Sequence, residues 1–299
     1  MKKQPALLIS LLFAGSIALA GIYRHDRKES EYVALGAQPQ FACVGQLQHN
    51  GEKVASCVLI SDKYVLTAAH IFVVASHLEK EIVVNPSLTV TSNEAYDKHF
   101  GTATDYSVVF NGMEYKCKTL AIYPRYLDTA TRDGLDMAIM ELETPVTGIT
   151  PAVLSTSYNE LHSDVTGVGW GVYGPADKPS EINRNELKKL GGENVVDSIG
   201  GYVLDGRPTA MYCDFDHPTD TTCNKMGSAI PRDLEYICGG GDSGGGLFVN
   251  TGTGWQLAGI CHGSSINVTQ FIHTRYYGQI MSWMRVSVFA GWIKQNAAL

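Results

Sequence analysis

Gly240-Gly-Asp-Ser-Gly-Gly-Gly246 sets one serine, Ser243, in a run of glycine. Glycine has no Cβ, so backbone N–H groups here can approach a developing negative charge unobstructed. A serine hydroxyl is a poor nucleophile at its own pKa and needs an adjacent base. Two upstream segments supply the rest of the chemistry. Leu66-Thr-Ala-Ala-His70 reads as a strand ending in histidine, and Leu135-Asp-Met-Ala-Ile-Met-Glu-Leu142 as an aspartate entering an apolar strand. Histidine titrates near neutrality, so it can take the serine proton and return it. A carboxylate fixes the imidazole tautomer and stabilises the imidazolium. Asp136 abuts its strand directly and takes that role ahead of Asp133. The order His70, Asp136, Ser243 is one of the known triad orders.

The text around these segments is a string of short strands. Asn50-Gly51 is a hairpin turn signal between the alternating Val44-Gly-Gln-Leu-Gln48 and the run from Val54 to Ile60. Tyr64–Leu66, Ile82–Val84, Ser107–Phe110, Leu120–Tyr123 and Met137–Leu142 follow at similar intervals. Val165–Val172, Gly200–Leu204, Gly246–Val249 and Trp255–Ile260 repeat the style. Such spacing argues for barrels or sandwiches rather than βαβ units. The one helical signal is C-terminal, where Tyr277, Ile280, Met284, Val288 and Trp292 recur every three or four residues.

The three site segments resemble the TAAH, D-[IL]-A-L and GDSGG motifs of the chymotrypsin/trypsin family of serine endopeptidases. Ala121-Ile-Tyr-Pro-Arg-Tyr126, Gly169-Trp170-Gly171 and Gly259-Ile260…Gly263 resemble lesser motifs of the same family, and the likeness runs from Phe41 to the C-terminus. It implies an all-β fold of two six-stranded antiparallel β-barrels, about 41–155 and 160–299, with a C-terminal α-helix. It implies a triad in the cleft between them: His70 as general base and then acid, Asp136 orienting it, Ser243 attacking the carbonyl. The N–H groups of Gly241 and Ser243 would form the oxyanion hole. Asp242 would pair with a newly freed N-terminal amine. Tyr32-Val33-Ala34-Leu35 is the favoured source of that terminus, ahead of Gly21-Ile22. Protein or peptide substrates follow from the same likeness, with no cofactor.

The chain departs from the family pattern in its cysteines and its specificity pocket. Ile71 follows His70 where the family has cysteine. Cys43 and Cys57 flank the Asn50-Gly51 turn nearly symmetrically and are candidate cross-strand partners. Cys213 and Cys223 enclose a short polar loop and are a candidate staple. Cys238 resembles a family half-cystine without its partner. Cys261 falls where the family often has a serine that supports the triad aspartate. Cys117 reads as a small buried apolar residue. Seven cysteines leave at least one thiol unpaired. Against the family, one extra residue lies in the Gly239-Gly240 stretch. The pocket floor is expected near Tyr236-Ile237, with no aspartate there. A further wall falls near Gln270-Phe271-Ile272 or near Ile280-Met281, depending on register. Both registers imply a shallow or apolar pocket. His262 and His273 are the alternative, favouring an acidic side chain.

Composition limits the rest. The 299 residues are 44% hydrophobic and 18% charged, with 31 glycines and a net charge of −7. That profile suits a folded, turn-rich chain and neither a disordered tail nor a membrane bundle. No Lys/Arg-rich run exists, so nucleic acid is set aside. No CxxC spacing occurs, so a zinc or redox motif is not expected. Lys2-Lys3, the apolar stretch Ala6–Ala20 and its Ala18-Leu-Ala20 end read as a signal peptide over 1–20. Residues 21–40 read as a leader or propeptide before a protease domain over 41–299. Cleavage would give a secreted or periplasmic protein without integral membrane association; a retained N-terminal anchor is the alternative. Two rival functions stand beside the peptidase. Gly241-Asp-Ser-Gly-Gly245 also fits the G-x-S-x-G elbow of α/β-hydrolases, but no acid lies between Ser243 and either later histidine. A catalytically inactive homologue acting as a binding protein is the other.

Overall fold

The computed structural model describes residues 21–85, 88–129, 134–183, 186, 188–265 and 276–299. The alternating text folds as strands. They are β1 (Gly21–Tyr23), β2 (Val44–His49), β3 (Glu52–Leu59), β4 (Tyr64–Thr67), β5 (Val73–Asn85), β6 (Leu88–Phe100), β7 (Tyr106–Phe110), β8 (Met113–Ile122) and β9 (Ala138–Leu142). There follow β10 (Val153–Leu154), β11 (Asp164–Gly169), β12 (Tyr173–Pro175), β13 (Leu190–Val195), β14 (Ser198–Leu204), β15 (Arg207–Asp214), β16 (Tyr236–Ile237), β17 (Gly246–Asn250), β18 (Trp255–Ser265) and β19 (Ile280–Arg285). Two α-helices accompany them, α1 (Glu29–Gly36) and α2 (Val286–Asn296).

The first half closes as a six-stranded barrel in the order β2-β3-β4-β9-β8-β7. Its first hairpin turns at Asn50 and Gly51, both with positive φ (51° and 81°), the geometry an Asn-Gly pair tolerates. Leu47, Val58, Leu66, Val108 and Leu142 point inward and are fully buried. In the second half eight strands form one sheet, with six of them in the path β13-β11-β17-β18-β19-β15, β14 extending it beyond β15 and β10 pairing with β18. Asn194 on β13 ties the ends of the six together, its Nδ2 donating to Asp214 O on β15 at 2.9 Å. This half is filled by Trp283, Tyr236, Phe215 and Tyr277, all 1% exposed or less. The segment 72–101 forms a compact unit of its own, the β5–β6 hairpin, paired antiparallel from Val73↔Phe100 to Asn85↔Leu88.

Two sequence expectations change here. The C-terminal helix begins only at Val286, and Ile280–Arg285 is strand β19. Helical spacing yields because β19 hydrogen-bonds to β15 on one side and β18 on the other, burying both of its faces. A second helix, α1, stands where no helical signal was read, and strand β1 precedes it. β1 pairs in parallel with β12 and antiparallel with β16, and Ile22 is fully buried. α1 holds Tyr32 fully buried, its hydroxyl donating to Glu235 O at 3.2 Å. The start of α2 is fixed by a buried pair, Arg285–Glu160 at 2.7 Å, which Ser287 Oγ completes from the other carboxylate oxygen at 2.7 Å. Removing one member of such a pair costs about 3–5 kcal/mol. No helix of the described residues is long and apolar enough to cross a membrane.

Candidate active site

β4 ends at Thr67, and the chain then tightens into a 3-10 turn at Ala69–Phe72 that presents His70. Asp136 lies just before β9, fully buried between Leu135 and Met137, which are buried too. Ser243 comes from the second half, in the loop before β17. The three side chains form one hydrogen-bonded line. His70 Nδ1 meets Asp136 Oδ2 at 2.7 Å, and His70 Nε2 meets Ser243 Oγ at 2.9 Å. His70 N also donates to Asp136 Oδ1 at 2.7 Å, so the turn that carries the imidazole is itself held by the carboxylate. Asp133 lies outside the described residues.

Burial would raise the pKa of Asp136, but the charges of His70 and His262 outweigh it and hold the carboxyl far below its usual range. Burial likewise works against a charged His70, yet Asp136 wins and raises its pKa. The pair therefore favours a carboxylate that steadies an imidazolium.

The oxyanion loop is built by contacts across the two halves. Gly241 has φ +89°, and a Cβ there would stand 3.3 Å from both Lys53 Nζ and Trp170 O. A side chain would be strained by the backbone and crowded at once. Among the described residues no acceptor takes the N–H of Gly241 or of Ser243. Ser56 on β3 ties the same loop to the first barrel. Its N donates to Ser243 O and its Oγ to Gly241 O, each at 2.8 Å. Trp170 N in turn donates to Ser56 Oγ at 2.9 Å, and Thr67 Oγ1 donates to Ser56 O at 2.8 Å. The N–H groups of Gly241 and Ser243 are oriented by the carbonyls that share their peptide planes: Gly240 O accepts from Val172 N at 2.9 Å and Asp242 O from Gly245 N at 2.7 Å, so each N–H points the opposite way. Sequence reading missed Ser56, because one serine in an alternating strand carries no signal. Lys53 was missed for the same reason. Burial lowers its pKa to about 8 despite the nearby charge of Asp242.

Asp242 is buried in a cradle of glycine. A Cβ on Gly169 or Gly171 would fall 2.3 Å from its Oδ1 or 2.6 Å from its carboxyl carbon. Oδ2 accepts from Tyr236 Oη at 2.5 Å and from Gly239 N at 2.8 Å. Oδ1 has no hydrogen-bond partner among the described residues. Desolvation raises the pKa of this carboxyl. Gly21 stands beside it: a Cβ there would lie 3.1 Å from Asp242 Oδ2. The source of a new terminus that the sequence favoured, Tyr32-Val33-Ala34-Leu35, sits inside α1.

Several expectations are corrected at this point. All seven cysteines are free and buried, so neither Cys43–Cys57 nor Cys213–Cys223 is bridged. β2 and β3 pair Gly45 with Cys57, which leaves Cys43 beyond the ladder, its thiol directed at Gln40 O. Cys213 lies inside β15, whereas Cys223 belongs to a separate 3-10 turn at Thr221–Cys223. Cys117 is buried as expected. Cys261 does not support the triad aspartate; the next residue, His262, does, with its Nδ1 against Asp136 Oδ2. The one-residue error comes from a β-bulge. β18 pairs Cys261 with Trp283 and Gly263 with Ser282, so His262 is extra and is aimed off the ladder. The expected pocket floor is also altered. Tyr236 is buried with its hydroxyl spent on Asp242, and Met281 Sδ accepts from Cys238 N at 3.4 Å. Gln270–Ile272 and His273 lie outside the described residues. Ligand atoms of His70, Asp136 and His262 lie within 4.8 Å of one another, close enough for a metal ion. Here both imidazoles hydrogen-bond directly to the carboxylate.

A serine, histidine and aspartate in one line, joining a closed β-barrel to a second set of six strands, define a trypsin-like fold with a triad-type site. The family model described as Trypsin matches residues 35–284, and the chain belongs to that family of serine peptidases. It is similar to phenoloxidase-activating factor 3 of Holotrichia diomphalia, 26% identical over 289 residues, which cover 88% of this chain and 70% of that protein.

Proposed function

We propose that this chain is an exported serine endopeptidase that hydrolyses peptide bonds through an acyl-enzyme. The observation that carries the reading is the continuous line Asp136–His70–Ser243, with its 2.9 Å contact between His70 Nε2 and Ser243 Oγ. His70 Nε2 takes the proton as Ser243 Oγ bonds to the carbonyl carbon. The carbonyl oxygen becomes an oxyanion and is held by the N–H groups of Gly241 and Ser243. His70 then gives its proton to the leaving amine as the C–N bond breaks. Water repeats the sequence: His70 takes its proton, and Ser243 leaves with that proton restored. One oxyanion donor contributes about 2.7–4 kcal/mol to such a barrier.

Export and activation are one event in this reading. Cleavage after Ala20 releases the 1–20 segment and frees the amine of Gly21. Gly21 stands beside Asp242, in a strand that is already buried, and its freed amine would turn from Val172 O towards the unpartnered Asp242 Oδ1. Residues 21–40 remain with the protease. Met281 Sδ lies against Cys238 N at 3.4 Å, near the expected pocket floor, and this apolar side chain supports a preference for an apolar residue before the scissile bond. A fluorophosphonate probe tests the core of the proposal. Labelling of the processed protein that disappears in Ser243→Ala is expected. A folded, processed chain that takes no label overturns it in favour of a binding protein.

A further inference from the structure

We infer that Lys53 sets substrate specificity: its ammonium binds an acidic side chain of the peptide on the leaving-group side of the scissile bond. The inference rests on the peptidase reading above and names a class of substrate for that site.

A bulge aims Lys53. In a regular strand Lys53 and Ser56, an odd number of residues apart, would face opposite ways. β2 and β3 pair Leu47 with Ala55 but Gln48 with Lys53, so Val54 is extra. The added residue turns Lys53 to the face that Ser56 presents to the second half. Both then reach the same glycine. Ser56 Oγ donates to Gly241 O, and Lys53 Nζ stands 3.3 Å from the place a Cβ on Gly241 would take. Gly241 supplies one of the proposed oxyanion donors, so the ammonium borders the ground where the scissile carbonyl is held.

That ammonium is uncommitted. Lys53 is half-buried, and among the described residues its Nζ makes no hydrogen bond and no ion pair. Asp242 acts on it through charge alone, with Oδ2 taken by Tyr236 and Gly239. A cation withdrawn from water without a partner is costly, and its attraction for an anion grows as water is displaced. A carboxylate carried in by the substrate supplies the partner. The side of the peptide follows from His70, which gives its proton to the leaving amine. His70 follows β4, and β4 pairs with β3 in the closed barrel. The leaving group therefore lies towards the barrel that carries Lys53. The residue before the scissile bond belongs instead to the pocket expected in the second half, near Cys238 and Met281.

The experiment uses the processed full-length protein and matched peptides with Asp or Asn at the first or the second position after the scissile bond. The readout is the ratio of kcat/KM for each Asp peptide to that of its Asn twin. Wild type is expected to favour Asp by about 10-fold at one of the two positions, the scale of a hydrogen bond between charged groups. K53M keeps the length of the stem and should bring that ratio to about one. K53R should retain the preference, and K53E should invert it. A wild-type ratio of about one at both positions overturns the inference. So does a K53M that slows both twins alike and keeps the ratio, because the lysine would then serve Asp242 or the oxyanion loop. If K53M does not fold, K53Q takes its place, and the wild-type ratio still decides. A wild type that cleaves no peptide and takes no fluorophosphonate label strikes the peptidase reading itself, and this inference with it.

Discussion

Two buried aspartates flank the nucleophile, and they are provided for differently. Asp136 is saturated: three donors reach it, and its carboxyl stays far below the ordinary range. Asp242 is less fully supplied: Tyr236 Oη and Gly239 N share Oδ2, the Gly171 backbone and the charge of Lys53 also favour its ionised form, Oδ1 has no hydrogen-bond partner, and burial nonetheless raises its pKa. An unpartnered buried carboxylate oxygen is costly, and the cost stands until a proton or a cation arrives. The base-and-nucleophile side is therefore complete within the chain as synthesised. The oxyanion side has room for one more positive group. On the proposed reading, the difference separates a site built by folding from one finished by processing.

The comparison can be broken from the Asp136 side with the largest effect. Asp136→Asn leaves the shape but misdirects the tautomer of His70, and kcat should fall on the order of 10⁴-fold in steady-state assays. A loss under tenfold would mean that the saturated carboxylate is not needed. From the Asp242 side, one additional residue before Gly21 should remove the free amine from the cradle. The expected loss of kcat is on the order of 10²–10³-fold, comparable to losing an oxyanion donor. An extended chain as active as the cleaved one would make Asp242 self-sufficient and erase the contrast.

Smaller tests sharpen the picture. Ser56→Ala frees Gly241 O and leaves Trp170 N without its acceptor. Net loss of such a hydrogen bond is about 1 kcal/mol, so kcat should drop by about fivefold with KM unchanged. Equal loss of kcat in Ser56→Ala and Ser56→Gly would confirm that the hydroxyl is what matters. The pH profile carries the smallest effect. Only neutral His70 can accept the serine proton, and its pKa is raised. Activity should therefore decline on acidification starting above the ordinary histidine value of about 6.5. An acid limb of kcat/KM centred below that value would show that Asp136 does not dominate its partner.

Much of this was legible from the chain. Alternation and the Asn50-Gly51 turn placed the hairpin strands correctly, because a period of two with a positive-φ pair has few other solutions. Spacing failed at Ile280–Arg285, where helical periodicity gave way to pairing on both strand edges. Cysteine counting failed as well. Symmetry about a turn in sequence is not proximity of sulfurs in space, and all seven thiols stay free. The likeness set Cys261 at the family's supporting serine and so left Asp136 without an evident support; a bulge that no motif announces brings His262 to it instead.

The sequence by itself determined the all-β class and singled out His70, Asp136 and Ser243 as the candidate triad. These follow from local chemistry: which residues can turn, alternate, donate and accept. Only the tertiary structure decided the rest. Ser56 clamps the oxyanion loop, His262 shares Asp136 with His70, and Gly21 lies against Asp242. Each of these joins positions far apart in the chain, and each depends on strand register, a bulge or a packed strand end. Such contacts are set by how strands pair and close, which the order of residues along one segment does not contain.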